Sequence, residues 1–424
     1  MASTEIAKIK AREILDSKAR PTVEVDIWTT EGIMGRGASP CGTSVGSHEA
    51  FVLRDGGSRY AGMGVLKSVQ NVTDVIGPAL LGKDVCDQRA IDRFMVELDG
   101  TPNKSRLGAN AIYSVSIAVA RAAAASAGLS LFRYLGGTGA CRLPVPMFNM
   151  INGGATYGAS TEFQEFIIVP AAAKSFSEAL RMGAEIYLKV GDSIRKRFGS
   201  NAVQPGQAAG YAAPTTEPGV VLELLLDAAE AAGYGGGCKV GIDCAASHFY
   251  DPEKQAYRYR GDWASRDDLI GVIASLAGSF PLFLVEDPLE EDDFEGFAKI
   301  TRQLDLLIVG DDLFVTNLDR LKKGVALGAA NGVILKPNMV GTLSEAIETA
   351  IYAREKGYCI VGSGRAGGGE DPVPEVVVAV GAPAVKFGSP RTWERISKQN
   401  CLLRIEEELG EAALFAGPDL FTRV

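Results

Sequence analysis

Residues 333–336 read VILK, three apolar residues closed by a long cation, and PNMVGT follows at 337–342. Three such apolar residues belong on a buried strand, so a lysine at its end needs a reason. The same plan recurs through the second half of the chain. CKVGID ends at Asp243, LFLVED turns polar at Glu286, LLIVGD at Asp311, CIVGS at Ser363 and AVK at Lys386. From Glu286 through Lys336 to Lys386 the intervals are 25, 25, 27 and 23 residues, one strand plus one helix each. Continuous apolar strands alternating with helical segments indicate parallel βα units. So even a period favours a closed barrel over an open sheet, and in a barrel the carboxyl ends of all strands gather at one mouth.

A single charged residue after a strand is usually a helix cap or a solvated loop end. A set in register is different. Three carboxylates and two lysines around one mouth would repel or mispair unless a cation organised them, and hard oxygen ligands suit Mg²⁺. A lysine beside a divalent cation has its ammonium disfavoured, which moves it toward a usable general base.

The rest of the chain narrows the field. The length of 424 residues predicts one large barrel or two domains. Net charge is −9 and no Lys/Arg-rich block occurs, which argues against nucleic acid. The start, MASTEIAKIKAREIL, lacks the basic-then-apolar plan of a signal peptide, and no apolar run is long enough for a membrane span. A cytoplasmic protein without a membrane partner is expected. Seven cysteines without CxxC spacing argue against a disulfide framework or zinc site, and only His48 and His248 could supply imidazole. The chemistry must rest on carboxylates, lysines and arginines.

Near the start, TVEVDIW at 22–28 alternates, with Val23, Val25 and Ile27 on one face and Glu24 and Asp26 on the other, which predicts a half-buried antiparallel strand. The Ala-rich segment from Leu107 to Gly128 predicts a helix with a glycine stop. Strands followed by helices suggest a small α+β domain. The Gly/Pro-rich YLGGTGACRLPVP is the expected boundary, giving domains at 1–138 and 142–424.

AREILDSKARPTVEVD, LDGTPNKSRLGANAI, LPVPMFNMINGG, FQEF, VEDPLEEDD, VGDDLFVTN and QNCLLRIEEELG resemble the enolase family over essentially the whole chain. The resemblance implies an N-terminal α+β domain, a modified (β/α)8 TIM barrel, Mg²⁺, and a homodimer or higher even oligomer. It implies Asp243, Glu286 and Asp311 as metal ligands, Lys336 as the base that removes the α-proton and Lys386 as the group that binds the substrate carboxylate. It implies Arg365 as the phosphate grip, Ser44 as part of a closing loop, and Glu165 on the acid side with Gln164 beside it. Ser363, closing its own strand, joins the substrate-binding set.

Departures gather at the same mouth. Ala155 stands where the family has a histidine, Ala209 is the nearest equivalent of a glutamate, and SGRAGG puts Gly364 and Ala366 where a histidine and a serine stand. Hydroxide leaves poorly without a proton, and one general acid contributes roughly 10²- to 10⁴-fold. Loss of the acid side with base and ligands retained therefore points to a better leaving group and a wider pocket. The expected activity is that of a carboxyphosphonoenolpyruvate synthase, joining phosphonoformate from CMP-phosphonoformate to a phosphoglycerate and eliminating phosphate. The alternatives are an ordinary enolase acting on 2-phosphoglycerate and a non-catalytic scaffold.

Overall fold

In the computed structural model the described residues are 4–42, 46–154, 160–206, 208–365, 367–368 and 370–421. They fall into two compact units, one of residues 1–141, 335–352 and 364–381, the other of residues 142–334, 353–363 and 382–424.

The first unit holds an antiparallel meander of β1 (Ile6–Leu15), β2 (Pro21–Thr29) and β3 (Met34–Ala38), with helices α1 (Gln88–Asp99) and α2 (Ala109–Ser126). Val23, Val25 and Ile27 are fully buried in one cluster with Ile112, Val115 and Val119 of α2, as the alternation predicts. The opposite face differs from expectation. Glu24 and Asp26 are buried as well, because Arg12 pairs with both carboxylates and the Arg36 Nε donates to Asp26 at 2.6 Å. Two flanking strands thus cover the polar face with their own guanidinium groups. The third strand approaches α2 so closely that only glycine fits: a Cβ on Gly37 would lie 2.2 Å from the Ser114 carbonyl oxygen.

The second unit is built on a ten-stranded sheet, counted among the described residues. Its strands are β4 (Val145–Pro146), β5 (Phe148–Asn152), β6 (Glu165–Val169), β7 (Lys239–Asp243), β8 (Leu282–Glu286), β9 (Leu307–Gly310), β10 (Gly332–Leu335), β11 (Cys359–Ser363) and β12 (Ala384–Lys386), with a short piece at Tyr211–Ala212. The order is β4-β12-β11-β10-β9-β8-β7-β6-β5, then Tyr211–Ala212. Strands β7 to β10 pair in parallel, as do β11 and β12, while β6 runs antiparallel to both β5 and β7. The barrel is therefore modified. A hairpin opens it, and two helices, α3 (Phe176–Phe198) and α4 (Pro218–Ala231), intervene before the parallel series starts.

The sheet curls on itself. Only Met147 separates β4 at one end of the order from β5 near the other. Alternation fills the interior: Ile167 and Val169, Leu307 and Val309, Cys359 and Val361, and Ala384 share one apolar cluster. Helices α5 (Arg266–Ser279), α6 (Phe294–Gln303) and α7 (Leu318–Leu327) begin on side-chain caps. Ser265 and Asp268 form a reciprocal capping box, and Asn317 accepts from the amides of Asp319 and Arg320. No single helix among the described residues is long and apolar enough to cross a membrane.

Candidate active site

Register builds the centre of the site. Glu165 of β6 lies opposite Asp243 of β7, and Asp243 lies beside Glu286 of β8, so three adjacent strands place three carboxylates in one row. All three are buried. Glu165 starts its strand while Asp243 and Glu286 end theirs, which the reversed direction of β6 makes possible. The interior parity holds for Glu165 two residues before Ile167 and for Lys386 two residues after Ala384, both partners being in the apolar cluster.

The Lys386 Nζ lies 2.8 Å from Glu286, 2.9 Å from Asp243 and 3.0 Å from Glu165. Six strand-to-strand steps separate β12 from β6 in the sheet order, about 29 Å if the sheet were flat at ~4.8 Å per step. A lysine cannot span that. Curling alone brings these groups together, so the salt bridges are themselves a consequence of barrel closure.

Burial alone would favour the neutral amine of Lys386, but the charges of Asp243, Glu165, Glu286 and Asp311 outweigh it and hold the ammonium well above the usual lysine range. Burial raises the Asp243 carboxyl above its ordinary value, opposed by Lys386 and reinforced by Glu165 and Asp311. The Asp243 carboxylate also accepts from the Gln164 side chain at 3.2 Å and from the Ala245 amide at 3.0 Å. Ser363, in register with Lys386, donates its hydroxyl to the Lys386 carbonyl at 3.0 Å, which fixes the end of β12.

Asp311 follows β9 directly. Glu286, Asp287 and Asp311 each offer an oxygen within 4.8 Å of the others, all three buried or nearly so. Oxygen donors alone, with no sulfur or imidazole among them, suit a hard divalent cation. Asp287 is the member that spacing did not reveal. Its signal in the sequence is slight, a second acid and a proline after Glu286.

Lys336 follows the last residue of β10 and is buried, with an extended backbone at φ −126° and ψ 95°. Arg365 is buried and pairs with Glu49, 316 residues away in sequence, a partner that no local pattern announces. Ser44 lies outside the described residues, as do Ala155 and Ala366. Ala209 is buried at φ 70°, and its carbonyl accepts from the Ser389 hydroxyl at 2.7 Å and the Tyr187 hydroxyl at 3.3 Å.

Two family profiles cover the chain: "Enolase, N-terminal domain" matches residues 6–135 and "Enolase, C-terminal TIM barrel domain" matches residues 140–424. The chain belongs to the enolase family. The enolase of Methanopyrus kandleri is 50% identical over 418 residues, covering 97% of this chain and 98% of that protein. The enolase of Methanothrix thermoacetophila is 49% identical over 417 residues, covering 98% and 99%, and that of Thermococcus kodakarensis is 48% identical over 418 residues, covering 97% of each. Membership makes the chain an enzyme, a lyase acting on a phosphoglycerate, and removes the scaffold reading.

These comparisons overturn the carboxyphosphonoenolpyruvate synthase expectation and, with it, CMP-phosphonoformate as a partner. Relatives matched from end to end at about half identity are enolases. The physical premises were also too strong. Ala209 is buried, with its carbonyl held by Ser389 and Tyr187, and Glu165 keeps a carboxylate inside the cluster. Losing these four side chains therefore did not empty the site of groups able to carry a proton.

Proposed function

We propose that this protein catalyses the Mg²⁺-dependent dehydration of 2-phosphoglycerate. The observation that carries the proposal is the buried row of Glu165, Asp243 and Glu286 around the Lys386 ammonium. In this reading Asp243, Glu286 and Asp311 hold Mg²⁺. When bound, the cation draws charge from the substrate carboxylate and makes the adjacent C–H more acidic.

Lys336 takes the proton from C2. Support comes from its burial and from strand parity: Ile334, two residues earlier, belongs to the interior cluster, and the backbone is still extended at Lys336. Lys386 binds the substrate carboxylate, and Arg365, buried and held by Glu49, receives the phosphate. Gln164 orients Asp243, Ser363 holds the Lys386 backbone, and Ser44 contributes from its loop. The electron pair of the broken C2–H bond forms the C2–C3 double bond as the C3 hydroxyl leaves. Glu165 delivers the proton that turns the departing hydroxide into water, a role this chain's Ala155, Ala209, Gly364 and Ala366 cannot take. The same proposal includes a domain boundary between residues 138 and 142 and a homodimer or higher even oligomer.

The decisive assay follows enol formation from 2-phosphoglycerate by ultraviolet absorbance, with Mg²⁺ and with chelator. The expected result is turnover on the order of 10 s⁻¹ that chelation abolishes. Neither turnover nor exchange of the C2 proton with solvent deuterium would overturn the reading.

A further inference from the structure

We infer that Asp287 is a positioning residue that presents Asp311 to the cation. Every polar group of Asp287 is engaged by backbone. One carboxylate oxygen accepts the Asp311 amide at 3.0 Å and the other accepts the Asp312 amide at 2.8 Å. Its own amide donates to the Val309 carbonyl at 3.0 Å, and its carbonyl accepts the Ala246 amide at 3.2 Å. A single residue thus ties the turn after β9, which bears Asp311, to the turn after β7, which follows Asp243.

The backbone is shaped for this. Asp287 has φ 39°, a left-handed conformation that side chains other than glycine rarely adopt and that the following proline further restricts. Such strain persists where the surroundings over-determine it. Here the four bonds do so. With both oxygens occupied by amides, Asp287 is committed to the Asp311–Asp312 peptides, and the work of direct ligation falls to its neighbours. The cluster of Glu286, Asp287 and Asp311 therefore divides into two ligands and one clamp.

This inference rests on the metal reading proposed above, so its test measures metal binding directly. Mn²⁺, as a paramagnetic probe, is titrated into the full-length protein and free ion is followed by electron paramagnetic resonance. Asn at 287 has one acceptor and one donor, so one of the two amides would face an N–H. Outer-shell changes of this kind weaken metal binding about 10- to 100-fold. Asp287→Asn and Asp287→Ala should therefore show Mn²⁺ affinity reduced by at least about tenfold. Excess Mg²⁺ should restore most of kcat, with KM for 2-phosphoglycerate at saturating metal within about twofold of wild type.

Wild-type binding with unchanged affinity in folded Asp287→Asn would overturn the positioning role alone, while no binding by wild type would overturn the metal reading too. Hydrogen exchange in the metal-free wild-type protein gives a check independent of any variant. The Asp311 and Asp312 amides should be strongly protected, and rapid exchange at both would refute the clamp.

Discussion

Replacing Lys386 with methionine removes one charge and little volume from the most crowded electrostatic point of the barrel. At about 3 Å and an effective dielectric constant near 20, each contact of its ammonium with Glu165, Asp243 and Glu286 is worth roughly 5 kcal/mol of raw attraction. That sum overstates the loss, since burying the ammonium is itself costly. Breaking a buried ion pair by removing one partner typically costs about 3–5 kcal/mol. Proton uptake sets a ceiling. At pH 7 a carboxylate of ordinary acidity is neutralised for about 4 kcal/mol, at 1.36 kcal/mol per pH unit. Beyond that cost the variant escapes by protonating a carboxylate.

The expected loss for Lys386→Met in chelator at pH 7 is therefore about 3–4 kcal/mol. It should shrink to about 1–2 kcal/mol at pH 5, where protonation is cheaper. Equilibrium urea unfolding at the two pH values reads both quantities. A variant within about 1 kcal/mol of wild type at pH 7, or a loss that does not shrink at pH 5, would refute the claim that this ammonium balances the carboxylate row.

Lys336→Ala should abolish solvent deuterium exchange at C2 of 2-phosphoglycerate, measured by proton NMR, while Mn²⁺ binding is retained; undiminished exchange would remove Lys336 as the base. Asp26 is pulled upward by burial, but hydrogen bonds from Arg36 and Arg12 outweigh this and hold its carboxyl below the ordinary aspartate range. It therefore contributes stability that is complete above that range and is lost as pH falls through the depressed folded value. Asp26→Asn should cost about 2 kcal/mol at neutral pH and flatten the acid limb of the stability curve, both read by urea unfolding across pH. Gly37→Ala forces a methyl to within 2.2 Å of the Ser114 carbonyl oxygen, and should destabilise by about 1–3 kcal/mol, seen as a lower urea midpoint with unchanged slope.

The parallel half of the barrel was legible because its strands are apolar throughout and close on polar residues at an even period. Asp243, Glu286, Asp311, Ser363 and Lys386 all stand where that pattern puts them, at or just after strand ends. Glu165 breaks the rule. Its strand runs the other way, so its charge comes first and the apolar run FIIV follows, a pattern that spacing alone reads as a loop end. Only the family resemblance singled it out. Glu49 and Asp287 escaped for another reason. Their importance lies in partners fixed by tertiary structure, the Arg365 guanidinium and two backbone amides, and backbone amides leave no mark in a sequence. The reaction was misread because the absent side chains were weighed more heavily than Glu165, although Glu165 was already placed on the acid side.

The charge balance explains why such a cluster is tolerated. Glu165, Asp243, Glu286 and Asp311 all act on the Lys386 ammonium, so the carboxylates around it outnumber it. A hydrophobic replacement of similar volume would give a more stable barrel, since buried ion pairs rarely recover their desolvation cost. In the proposed reading, what the imbalance supplies is affinity for a dication. Any ion that binds the folded chain and not the unfolded one returns stability, about 2.7 kcal/mol when it is present at 100 times its dissociation constant. On that reading the metal-free barrel is held below its attainable stability by the residues proposed to bind the cation. Lys386 reduces that deficit, since its ammonium lies within 3.0 Å of Glu165, Asp243 and Glu286.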